Sequence, residues 1–168
     1  MCKNNFLTFH LYQKLLLISS NKNIINVTIE SFINKHYIYI MTKILLIGGL
    51  GYIGRVLYDF LLTEYPQCQT DILDINIYNL IADINFISCD IRNTELLDQY
   101  ISQYDIIVTL VAIVGDPACN FDRKLSLDIN YYSFARMIKL IKKYKKHVLH
   151  FSTCSVYGCL DIKATEQS

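Results

Sequence analysis

The chain has 168 residues, 52% of them hydrophobic and 18% charged, which suits one folded domain with a core and excludes a disordered chain. Sixteen Lys and Arg balance fifteen Asp and Glu, so the net charge of +1 supplies no field to gather nucleic acid. Six cysteines, at 2, 68, 89, 119, 154 and 159, include no C-x-x-C pair, which argues against a metal site and for reduced thiols in a cytoplasmic protein.

Residues 1–40 contain no Gly or Pro and are read as an extension ahead of the domain, with a helix over Leu7–Ser19 as one form of it. Their apolar run is broken by His10, Gln13 and Lys14. It falls short of the roughly 18 residues that a membrane span needs and offers no clear signal-peptide cleavage site. The domain is expected to open at Met41 and run to residue 160, with 161–168 as a tail. Strands and helices alternate from Lys43 onward. Ile44–Ile47 is an apolar strand ending in glycines, and Tyr52–Leu62 has helical spacing with Ile53, Val56, Leu57 and Phe60 on one face. Thr70–Leu73 is a second strand ending at Asp74, and Asn85–Ser88 a third. Thr94–Ile101 reads as a helix with Asn93 or Thr94 as cap. Ile106–Val111 is a continuous apolar strand of the kind buried on both faces. Arg123–Lys145 reads as one long helix, and Val148–Ser152 as the fifth strand. Repeated strand–helix units of this kind predict an α/β fold, a doubly wound parallel sheet of about five strands in the Rossmann manner.

The stretch KILLIGGLGYIG carries the strongest local signal. Its glycines fit Gly49-x-Gly51-x-x-Gly54 and Gly48-x-x-Gly51-x-x-Gly54 together. One glycine permits the tight turn, another lets backbone approach a pyrophosphate, and Gly54 allows close helix–strand packing. The helix N-terminus then faces the phosphates. Asp74 stands twenty residues beyond Gly54 at the end of the second strand. There it can accept from a ribose 2′-hydroxyl and repel the extra phosphate of NADP, or serve only as a solvated turn residue. NAD rather than NADP is the expected cofactor.

These blocks resemble the extended short-chain dehydrogenase/reductases, specifically the NAD-dependent epimerase/dehydratase group acting on nucleotide sugars. Cys89-Asp90-Ile91-Arg92 resembles the acidic-apolar pair that contacts adenine, and Leu110-Val111-Ala112 the segment lining the cofactor. Asn130 falls where the family carries a structural Asn, and Phe151 to Gly158 resembles the block with the catalytic Ser or Thr. The likeness covers about residues 42 to 160. It implies a cofactor site of Gly48, Gly51, Tyr52, Ile53, Gly54, Asp74, Asp90, Ile91, Leu110, Val111 and Ala112.

The resemblance also implies that Thr153, four residues before Tyr157, hydrogen-bonds the reacting oxygen, a role its donor and acceptor capacity suits. The alternative is that Ser152, Thr153 and Ser155 only cap the strand end. The family's base is a Tyr in Y-x-x-x-K on the following helix. Tyr157 does not fit that pair, because Asp161 stands where the Lys is needed. Tyr39 with Lys43 and Tyr132 with Arg136 share the spacing but precede the Thr153 block, and both are read as structural. The cluster Lys139, Lys142, Lys143, Lys145, Lys146 and His147 is read as a solvated helix end. The loop Gly115–Cys119 is expected at the ligand edge of the sheet. Four readings stand: a truncated cofactor domain inactive alone, one half of a split enzyme, a non-catalytic dinucleotide-sensing or interaction module, or, least favoured, an active minimal reductase, which would need a further proton donor. The expected partners are the dinucleotide and either a second copy or a complementing C-terminal half, without nucleic acid, membrane or metal. Lacking the family's next helix, the face of Val148 and Leu149 is expected to stay partly wet.

Overall fold

In the computed structural model, which describes residues 42–77 and 85–153, the apolar run Lys43–Ile47 forms the central strand β1. The expectations for residues 1–40 and for Tyr157 and Asp161 lie outside the described residues. The described residues fall into two units, one holding those up to Val148 and the other holding 149–153. In the first, β1 leads through helix α1 (Tyr52–Glu64) to β2 (Gln69–Asp74) and β3 (Phe86–Ser88). Helix α2 (Thr94–Ile101) connects to β4 (Ile106–Thr109). After two short helices, α3 (Asp116–Phe121) and α4 (Arg123–Leu127), the chain enters a π-helical turn over Asp128–Ser133. It continues as α5 (Phe134–Lys143) and reaches β5 (His147–His150).

The sheet order is β3-β2-β1-β4-β5. β1 pairs in parallel with β2, Ile44 opposite Thr70 and Ile47 opposite Leu73. It pairs in parallel with β4 on its other edge, Ile44 opposite Ile106 and Ile47 opposite Thr109. The path therefore runs outward from β1 in one direction, then returns and runs outward in the other. That reversal between β1 and β4 opens a crevice beyond the carboxyl ends of the strands, where ligands bind in sheets of this type.

Side-chain alternation along β1 explains why both faces must be covered. Leu45 and Ile47 join Leu73, Leu97, Ile101, Ile107, Met137 and Ile141 in one buried cluster, which α2 and α5 complete. Ile44, Leu46 and Ile72 point the other way and are equally buried, on the face where α1 buries Leu57 and Leu61. Burying each such side chain contributes about 1.5–3 kcal/mol. Polar contacts fix the alignment. Tyr104 donates its hydroxyl to Asp71 at 2.9 Å, and Lys143 and Tyr144 at the end of α5 both bond Asp98 of α2. The lysine cluster closes α5: Lys145 adopts φ 54° and the Lys146 N–H returns to the Ile141 carbonyl at 3.0 Å, a left-handed helix stop. Asn93 caps α2 through Leu96 N–H, as its position predicts.

β4 ends at Thr109 rather than the expected Val111, β5 spans His147–His150 rather than Val148–Ser152, and two elements differ in kind. The predicted loop Gly115–Cys119 is the start of α3, with Pro117 in the first turn, where a missing N–H costs nothing. The predicted long helix is interrupted by the π turn. In the second unit, Leu149 is 1% exposed, so the expected wet face does not extend to it, while Val148 of the first unit is half-buried.

Candidate functional site

Four glycines follow β1, and the fold constrains three of them. Gly48 has φ 83°, and a Cβ there would sit 2.7 Å from the Val111 N, so both its conformation and its contact with the chain after β4 require glycine. Its N–H donates to the Leu73 carbonyl at 2.8 Å, tying the turn to β2. A Cβ on Gly49 would meet Ile72 Cγ1 at 2.8 Å, and one on Gly54 would lie 2.6 Å from Gly49 Cα, so these two bring α1 down onto the sheet. Gly51 is the exception. Its backbone is extended, and a Cβ there would find only the Gly48 carbonyl oxygen, at 3.4 Å. Neither fold nor packing demands glycine at this position.

Gly51 lines a cavity of about 260 Å³ at the carboxyl edge of the sheet. Its walls are the segments that leave the strands: Gly48, Leu50 and Gly51 after β1, Leu73 to Ile77 from β2, Cys89 to Ile91 after β3, and Leu110 to Val114 after β4. Ala118 and Ile129 complete the lining. Helix α1 begins at Tyr52 with no side-chain cap and no acidic residue in its first turn. Its positive end is thus available for an anion.

Asp74 bridges two of these walls. Its Oδ2 accepts from the Leu50 N–H at 3.0 Å and its Oδ1 from the Asn76 N–H at 2.9 Å. Each carboxylate oxygen keeps further lone-pair capacity for a ligand hydroxyl. Asp90 is held differently. The Arg92 guanidinium grips its carboxylate, with Nη2 2.6 Å from Oδ2 and Nε 3.0 Å from both oxygens. Those bonds, with the Arg92 charge, hold the Asp90 carboxyl below the usual carboxylate range against a smaller opposing effect of burial. Beside it, burial chiefly pushes the Cys89 thiol up, and the Asp90 charge adds to this. On the far wall, Asn130 Oδ1 accepts from the Ile113 N–H and its Nδ2 donates to the Ile113 carbonyl, both at 2.8 Å.

The structure therefore brings Gly48, Gly51, Asp74, Asp90, Ile91, Leu110, Val111 and Ala112 to one cavity. Tyr52, Ile53 and Gly54 form the first turn of α1 and are not among the lining residues, and the Tyr52 side chain is exposed. Thr153 belongs to the second unit, where it follows β5 and is exposed. Sequence reasoning missed Ile75, Asn76 and Ile77, although an Asp-x-Asn pair leaving a strand is an Asx-turn signal. Asn76 indeed adopts φ 50° there. It also missed Ile113, Val114 and Ile129, apolar residues without a local signature. Among the described residues there is no cluster of metal-ligating side chains and no helix long and apolar enough to cross a membrane.

The family model for the NAD dependent epimerase/dehydratase family matches residues 44–168. The chain is similar to UDP-D-apiose/UDP-D-xylose synthase 1 of Arabidopsis thaliana, 30% identical over 128 residues, 68% of this chain and 32% of that protein. It is similar to UDP-glucose 4-epimerase of Mycoplasma pneumoniae, 28% identical over 130 residues, 70% of this chain and 37% of that protein. The chain thus spans well under half the length of these curated relatives. Among solved structures, UDP-glucose 4-epimerase of Thermus thermophilus in complex with NAD superposes with a TM-score of 0.64 at 19% identity, covering 75% of this chain and 43% of that one. ADP-L-glycero-D-manno-heptose-6-epimerase of Helicobacter pylori gives 0.63 at 21%, covering 76% and 44%. At such identities the superpositions establish the fold.

Proposed function

This chain belongs to the NAD dependent epimerase/dehydratase family, and from that premise we propose that residues 38–148 bind NAD across the carboxyl edge of the sheet. Gly51 is the observation that carries the reading. It lines the cavity, yet neither its conformation nor its neighbours require glycine. A bare backbone beside an uncapped helix N-terminus is what close approach of a pyrophosphate calls for. Tyr52, Ile53 and Gly54 contribute through the helix end. Asp74 takes the adenosine ribose hydroxyls, and its charge disfavours a 2′-phosphate. Asp90 and Ile91 flank the adenine, and Leu110, Val111 and Ala112 run beneath the remainder. NAD, when bound, supplies reversible hydride acceptance.

The substrate class proposed is a nucleotide sugar, because the relatives are named for UDP-sugars. Thr153 is the proposed hydroxyl partner of the reacting oxygen, and the base and sugar contacts are placed outside residues 42–153. On this reading the described unit is the cofactor half of an epimerase or dehydratase, and turnover requires a complementing part. Calorimetric titration of the 168-residue chain with NAD and NADP tests it. NAD is expected to bind one to one and more tightly than NADP. Failure of both to bind, or equal affinity for the two, would overturn the reading.

A further inference from the structure

The helix bordering the cavity leaves α-helical register between α4 and α5, where Asp128–Ser133 makes a π-helical turn. Such turns are rare in helices and persist where something holds them. This one presents the Asn130 amide to both backbone groups of Ile113. The contact that brackets the turn comes from Arg136, one turn into α5. Its Nη2 donates to Asp128 Oδ1 at 3.2 Å and to Ser133 Oγ at 2.8 Å. Asp128 and Ser133 are the first and last residues of the π turn. Ser133 is fully buried, and the Arg136 Nε is buried with no hydrogen-bond partner among the described residues. The Arg136 side chain is 36% exposed as a whole, so the guanidinium sits at the surface edge with its Nε turned inward. That unpartnered buried N–H costs stability unless the clasp offsets it. Asp128 also lies within electrostatic reach of Arg92, whose guanidinium grips Asp90 on the opposite wall of the cavity.

We infer that Arg136 is a positioning residue for the cavity: by clasping both ends of the π turn it holds Asn130 on Ile113 and so sets the wall from Leu110 to Val114. The consequence for affinity rests on the proposed NAD binding, whereas the coupling of Arg136 to Ile113 does not. Amide hydrogen exchange of the whole chain tests the coupling, and NAD titration tests its consequence. In Arg136→Met and in Asp128→Ala, the Ile113 amide should exchange about tenfold faster or more, approaching its rate in Asn130→Ala. The amides of Leu46 and Ile107, in the core strands, should keep their rates. NAD should bind about tenfold more weakly, as when the competent wall is populated about a tenth of the time. Arg136→Lys, which keeps a cation able to reach both partners, should return Ile113 toward the wild-type rate.

An unchanged Ile113 amide in Arg136→Met, with acceleration in Asn130→Ala, overturns the inference. So does uniform acceleration that includes Leu46 and Ile107, because Arg136 would then be a general stability residue. Should Arg136→Met fail to fold, Asp128→Ala decides by the same two outcomes. If wild type binds no NAD, the cofactor reading fails while the exchange result still decides the coupling.

Discussion

Gly51→Ala separates folding from binding with a single methyl group. The Gly51 backbone, at φ −68° and ψ 173°, is open to any L-residue, and the new Cβ meets one oxygen at an ordinary 3.4 Å. Losing the unfolded-state freedom of glycine stabilises by about 0.4–1 kcal/mol. Alanine is a poorer helix N-cap than glycine by about 0.5–1 kcal/mol, so the two effects nearly cancel. The melting temperature should stay within about 4 °C of wild type. On the proposed cofactor reading, however, the methyl group would stand where the pyrophosphate approaches. Overpacking of about 1–3 kcal/mol weakens NAD binding by about 5- to 150-fold. Gly48→Ala provides the contrast, since it forces a left-handed conformation costing about 1–2 kcal/mol and drives a Cβ to 2.7 Å from Val111 N. With overpacking added, about 2–5 kcal/mol of folding stability should go. Thermal unfolding and calorimetric titration of the two variants are the assays. Wild-type affinity in a folded Gly51→Ala would refute the cradle, and wild-type stability in Gly48→Ala would refute the turn.

Asp74→Asn should both destabilise and narrow the preference for NAD over NADP. An amide cannot accept from Leu50 and Asn76 with both of its heavy atoms, and the mismatch costs about 1–3 kcal/mol, readable as a lower melting temperature. Asn130→Ala removes both bonds to Ile113 and should weaken NAD binding while leaving far-ultraviolet circular dichroism intact. The Asp90–Arg92 pair predicts a pH dependence. Arg92 lowers the folded-state pKa of Asp90, so the stability it confers is present above the ordinary carboxylate range near 4 and is lost as pH falls through the lowered value. The side chains of Arg92 and Asp90 are 44% and 33% exposed, which limits the contribution to about 1 kcal/mol or less. The melting-temperature advantage of wild type over Arg92→Met at neutral pH should therefore shrink below about pH 4. An advantage that grows on acidification would contradict the assignment.

The sheet was legible because its strands are continuous apolar runs bounded by glycine, proline and capping signals. Ile44–Ile47 and the Asn93 cap stand where such signals place them, while β4 stops at Thr109, two residues short of the expected apolar run to Val111. The glycine spacing identified the loop without dividing the labour within it. Four glycines look alike as letters, yet Gly48 answers to a backbone angle, Gly49 and Gly54 to helix packing, and Gly51 only to the cavity. Short α3 stayed hidden because a six-residue helix opened by Gly115, Asp116 and Pro117 uses the same residues as a turn.

The hardest feature to read was the one on which the far wall depends. Residue spacing along a helix translates into proximity only if the backbone keeps 3.6 residues per turn. Under that assumption Arg136 pairs with Tyr132, four residues before it. It bonds Ser133, three residues before it as a regular helix allows, but also Asp128, eight before it, which a regular helix does not bring alongside, and Tyr132 is exposed. The extra residue in the π turn changes which side chains face one another. It leaves no trace in the apolar pattern, because the buried set Met137, Leu140 and Ile141 lies wholly beyond the turn. A motif search by spacing therefore fails where the helix is irregular, and here the irregular turn is what presents Asn130 to the cavity wall.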